Sequence, residues 1–128
     1  MNVKTRKIIT VSALAVVLCL LAVGAAATLL CWLTPSVSVM NLSATTLSNV
    51  ALELPSNRWD LEDLAPGNHS HVFYDANQSD GTYTIKLQQD GKILTLQCGY
   101  VTHSEWGKRM QIRISDQGKI ECQEKHRY

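Results

Sequence analysis

The chain's hydrophobic pattern changes period once. From Ile8 to Leu33 no residue is charged, and the run is almost wholly apolar. A hydrocarbon core about 30 Å thick is crossed by roughly 20 apolar residues in a helix, so this stretch predicts one transmembrane helix with some tilt. Thr34 and Pro35 end it, since proline cannot continue a helix. Beyond them the period falls to two. Val37 and Val39 alternate with serines, and Val50, Leu52 and Leu54 alternate with Ala51 and Glu53. Tyr83, Ile85 and Leu87 follow the same rule, as do Leu94, Leu96, Cys98 and Tyr100, then Met110, Ile112 and Ile114, then Ile120 and Cys122. Such alternation predicts half-buried antiparallel strands. A further strand is expected from His69 to Asp75, where His71 with Phe73 and Val72 with Tyr74 compete for the inner face. The expectation is an all-β, antiparallel sandwich of about seven strands behind one transmembrane helix.

Two turns fix the register. Asp90-Gly91 is a favoured type I′ pair, and pairing outward from it sets Leu87 against Leu94, Ile85 against Leu96 and Tyr83 against Cys98. A three-residue loop at Asp116–Gly118 sets Ile114 against Ile120, Ile112 against Cys122, and Arg113 against Glu121 on the outer face. Both registers keep the apolar positions on one side. Trp59, Leu61 and Leu64 are expected in a compact loop or helical turn over one edge of the core.

Asn49, Val50, Leu52 and Leu54, followed by Leu61, Leu64, Pro66 and Gly67, make a strand and a loop ending in Pro-Gly. This segment resembles the immunoglobulin-like β-sandwich modules of bacterial envelope proteins. The resemblance implies that fold and no activity.

Charge sets the orientation. The formal net charge is +1 over 128 residues. Lys4, Arg6 and Lys7 precede the span without an acid, leaving nine Lys and Arg against eleven Asp and Glu beyond it, a balance of −2. Basic residues beside a span stay in the cytoplasm. The expected organisation is a cytoplasmic tail (1–7), a transmembrane signal anchor (8–33) and an extracytoplasmic domain (36–128). The apolar run outlasts the roughly 7–15 residues of a secretory h-region, so the anchor is expected to stay uncleaved. Together with the resemblance to bacterial envelope modules, this organisation implies the bacterial inner membrane with a periplasmic domain. Ala22 with Ala26, and Gly24 with Thr28, have the spacing that lets two spans pack as a homo-oligomer. No basic face suits nucleic acid.

The candidate chemistry is sparse. No nucleophile elbow, phosphate loop or paired-cysteine motif appears, so no enzyme activity and no cofactor are expected. Cys98 and Cys122 face inward in an oxidising compartment, and a bond would be worth about 3 kcal/mol in the chain-entropy model. If their strands were two apart in one sheet, about 9.6 Å would separate them, too far to bond; a strand that changes sheets would remove the obstacle. His69 and His71 share a face in H-x-H spacing, with Met40, His103 and His126 as further donors, but surface histidines are common and no metal is expected. Asn41, Asn68 and Asn77 begin N-glycosylation patterns.

The loop from His103 to Arg109 carries Trp106, Lys108 and Arg109. Trp and Arg are enriched at interface hot spots, so these residues, with Trp59, are the candidate binding residues for a protein partner. Alternatives for Trp106 are capping of the core and contact with the membrane surface. The function expected is non-catalytic: binding or assembly of another envelope protein. Other readings are an immunity-type inhibitor of a periplasmic or membrane-acting toxin, using the acidic loop Trp59 to Asp63, and a type II membrane glycoprotein of a eukaryote or virus.

Overall fold

The computed structural model describes residues 2–126. The chain divides into a helical unit ending at Trp32 and a β unit beginning at Leu33. The helix, α1, runs Val3–Leu33. It is long and apolar enough to cross a membrane. It begins inside the basic tail, because Lys and Arg are good helix formers and nothing there breaks the chain. The hydroxyl of Thr28 donates to the Gly24 carbonyl at 2.8 Å, so this group has a partner within its own helix.

The β unit holds eight strands: β1 (Ser36–Asn41), β2 (Ser48–Glu53), β3 (Arg58–Asp60), β4 (His69–Phe73), β5 (Gly81–Gln89), β6 (Lys92–Val101), β7 (Lys108–Ile114) and β8 (Ile120–His126). They form two four-stranded sheets, ordered β4-β1-β7-β8 and β3-β2-β5-β6. The arrangement is sandwich-like. Val37, Val39, Met110, Ile112 and Ile114 from one sheet share a single buried core with Val50, Leu52, Tyr83, Ile85 and Leu87 from the other.

Both hairpins have the register read from the sequence. Leu87 pairs with Leu94, Ile85 with Leu96 and Tyr83 with Cys98. Ile114 pairs with Ile120, Ile112 with Cys122 and Arg113 with Glu121. Asp90 and Gly91 both have positive φ, 51° and 75°, as a type I′ turn requires. On β4 the competition is settled in favour of Val72 and Tyr74, which point inward, while His71 and Phe73 are exposed.

Three expectations are corrected. Strand β1 runs parallel to β7, so the sandwich is not wholly antiparallel. The chain between them passes through the second sheet, and no local pattern records that crossing. Trp59 lies on a strand, β3, opposite Leu52, rather than in a loop; three residues are too few to show a period. Leu61 and Leu64 lie in the loop that follows, as one of the two expected forms, and Leu64 makes a two-way bridge with Leu47 at 2.9 Å. Tyr100 is exposed, not inward. Gly99 sits at φ 63°, and the β5–β6 register shifts between Gly81 and Tyr83. The extra residue turns Tyr100 outward and gives the inner position to Val101, which is fully buried. A Cβ on Gly99 would lie 2.7 Å from Met110 Cε, so the bulge also needs glycine for space.

Cys98 and Cys122 are bonded, with Cα atoms 6.2 Å apart. They belong to different sheets, on edge strands β6 and β8. This is the sheet change that the in-plane spacing argument required.

Candidate binding surface

At the end of the sandwich where the β unit begins, its first three residues are tied to separate parts of the fold. The Leu33 carbonyl accepts the Gly107 N–H at 2.5 Å, the Thr34 carbonyl accepts from the Arg109 guanidinium, and the Pro35 carbonyl accepts the Tyr74 N–H at 3.0 Å. The start of the unit is therefore fixed against the β6–β7 loop, β7 and the residue following β4.

A buried network braces that loop. The Lys108 ammonium is 1% exposed. It donates to the Tyr100 carbonyl at 2.5 Å and to the Glu105 carboxylate at 2.8 Å, and pairs with Glu124 at 3.3 Å. It lies 5.4 Å from the centre of the Tyr83 ring, a cation–π distance. These oxygens match the three N–H donors of an ammonium. The other oxygen of Glu105 accepts the Thr102 N–H at 2.5 Å, closing the loop on itself. Behind it the Tyr74 and Tyr83 hydroxyls share a hydrogen bond of 2.8 Å. Burial pushes the Tyr74 phenol up to about 12, against an opposing effect of that bond. Burial, then the bond to Tyr74, pushes Tyr83 higher still.

The braced loop presents Trp106, which is 52% exposed, as are Phe73 and Tyr100 at the same end. The Arg109 guanidinium lies 5.9 Å from the centre of the Phe73 ring. Lys125 pairs with Arg109 in the β7–β8 register. Arg109 thus joins Phe73 on the outer face of the β4-β1-β7-β8 sheet, while Tyr100 stands on β6 of the other sheet and Trp106 on the β6–β7 loop. Such side chains combine large apolar area with few rotamers.

Of the sequence-derived candidates, Trp106 and Arg109 both lie at this end of the sandwich, three residues apart in the chain. Lys108 underlies this surface and faces the interior; its charge is held by Glu105 and Glu124. Trp59 is half-buried against the core on the edge strand of the other sheet and does not join them. Sequence reasoning missed Phe73 and Tyr100. The signal for Tyr100 was Gly99, since an isolated glycine within a strand marks a bulge. The signal for Phe73 was the contest with Tyr74, in which only one ring can face inward.

Elsewhere, Glu62, Asp63, Leu64, Asn68, His69 and Ser70 line a cleft of about 370 Å³. Within the acidic loop, Asp63 accepts the Asn49 N–H at 3.0 Å and Asp60 pairs with Arg58 at 3.1 Å. Asn41 is fully buried: its amide donates to the Thr45 and Leu64 carbonyls and its oxygen accepts from Ser43, so it is closed to a glycan in the folded domain. Asn68 and Asn77 are exposed. Among the described residues no three His, Cys, Asp or Glu side chains converge as a metal cluster. The chain matches no family model and no curated protein.

Proposed function

We propose that this is a single-pass, non-catalytic binding or assembly-accessory protein of the bacterial inner membrane, with its sandwich in the periplasm. Its partner is another envelope protein embedded in the same membrane, engaged through the aromatic end of the sandwich. The observation that carries this reading is Trp106, exposed on a loop that a buried ion network braces, at the same end of the sandwich as Phe73, Tyr100 and Arg109. A rigid aromatic anchor loses little entropy on docking.

Three features support the setting. The basic residues all precede the apolar run or follow it at a distance, which favours an inside N-terminus. A disulfide suits an oxidising compartment. Only Thr34 and Pro35 separate α1 from β1 in the chain, so no long linker joins the span to the domain. A partner reached from there is one that itself lies at the membrane surface. We also read the sandwich as immunoglobulin-like, on the resemblance of its 49–67 segment. Its disulfide joins edge strands and so departs from the bond that spans the sandwich centre in antibody domains.

The test is Trp106→Ala in the full chain, purified in detergent from native membranes. The reading expects a melting temperature within about 2 °C of the parent and loss of a co-purifying membrane protein. Retention of that protein, or a melt lowered as a core truncation lowers it, contradicts the reading.

A further inference from the structure

We infer that His69, His71 and Met40 form a surface site for a soft monovalent metal ion, Cu(I). The site lies on the outer face of the β4-β1-β7-β8 sheet, where His71 adjoins Phe73. It was legible only in part from the sequence, which offered Met40, His103 and His126 equally as third donors. The fold selects Met40.

The selection rests on the β1–β4 pairing. Met40 stands opposite His69, and Ser38 opposite His71. The ladder is bracketed by the Tyr74 N–H to the Pro35 carbonyl at 3.0 Å and the Asn41 N–H to the Asn68 carbonyl at 2.9 Å. Antiparallel pairs alternate, so between these ends Met40 and His69 fall on a non-hydrogen-bonded pair, the kind whose side chains stand closest. Their Cβ atoms are then about 5 Å apart, and Met40 is a diagonal neighbour of His71 at about 7 Å. His69 and His71 are two residues apart on one strand and both exposed, with Ser70 and Val72 turned inward. Two imidazoles and a thioether can thus converge on an ion held above the strand pair.

The surroundings decide which ion. Arg113 flanks Met40 on β7, and Arg109 lies near enough to His71 to act on it electrostatically. Arg113 is turned to Gln111 at 3.0 Å and toward Glu121 at 3.9 Å. Among the described residues no group of three His, Cys, Asp or Glu side chains gathers there to offset a double charge. A cationic neighbourhood opposes a divalent ion more than a monovalent one, and thioether with imidazole suits Cu(I). The Phe73 ring meets His71 edge-on at 4.9 Å and fixes its plane.

The test uses the full chain in detergent with Cys19→Ser and Cys31→Ser, because those two cysteines, outside the disulfide, would also take Cu(I). Cu(I) is kept reduced by ascorbate under nitrogen and titrated against a chromogenic Cu(I) chelator. The expected result is one Cu(I) per chain, with affinity lowered at least tenfold by each of Met40→Leu, His69→Ala and His71→Ala while circular dichroism is unchanged. Failure to take Cu(I) from the chelator overturns the site. So does binding that survives Met40→Leu and His71→Ala, or a higher affinity for Zn(II) than for Cu(I).

Discussion

Lys108 donates to Glu105 at 2.8 Å from a position closed to water, three residues along the chain. The contact turns the β6–β7 loop back onto the strand that follows it. Lys108→Met removes the cation and leaves the Tyr100 carbonyl and two carboxylates without it. Loss of one partner from a buried pair costs about 3–5 kcal/mol. Here the lower end applies, because the Glu105 and Glu124 side chains keep 20% and 40% of their exposure and can recover water. Denaturant melts should show a loss near 3 kcal/mol. A neutral or stabilising substitution would mean that packing alone shapes this end.

The Tyr74–Tyr83 pair makes stability sensitive to alkali. Both phenols hold their protons more tightly in the fold than in the unfolded chain, where they release them near pH 10. The stabilisation is therefore complete below about pH 10 and is lost as pH rises toward 12 and beyond. Melting temperature should fall steeply above pH 10. In the Tyr74→Phe, Tyr83→Phe double variant that fall should shrink. The late rise in tyrosinate absorbance at 295 nm should also disappear. An alkaline fall of the same size in the double variant would assign it to other groups.

The β7 register predicts unequal neighbours. Ile112 is fully buried opposite Cys122, and Ile112→Ala should cost about 2–5 kcal/mol. Arg113, one residue on, faces outward and meets a mostly exposed Glu121 at 3.9 Å. Arg113→Ala should cost well under 1 kcal/mol. Similar losses at the two positions in denaturant melts would place the strand out of register.

What was legible in the chain was local. A turn signal flanked by alternating residues specifies a hairpin's register near the turn, and so Leu87 with Leu94 and Ile114 with Ile120 could be paired in advance. What joins distant segments left no local trace. The parallel run of β1 beside β7, the bond between Cys98 and Cys122 across two sheets, and the seat of Met40 beside His69 all depend on which sheet a strand enters. Lys108 shows a different limit. A lysine next to an arginine reads as a solvated surface, and only the arrival of Glu105, Glu124 and the Tyr100 carbonyl around it makes burial tolerable. Tyr100 was misplaced by one residue of bulge, although Gly99 marked the spot. The candidate surface was half legible: Trp106 and Arg109 were visible, whereas Phe73 and Tyr100 required the fold.

The most direct measurement is site-specific photo-crosslinking in native membranes. A benzoylphenylalanine replaces Trp106 in one full-length variant and Ile93 in another. Ile93 is 83% exposed and lies seven residues from Tyr100 on β6, about 23 Å along the strand. The account predicts one discrete adduct with a membrane protein from position 106 and none from position 93. Lipid adducts alone from position 106, or the same adducts from both positions, would contradict it.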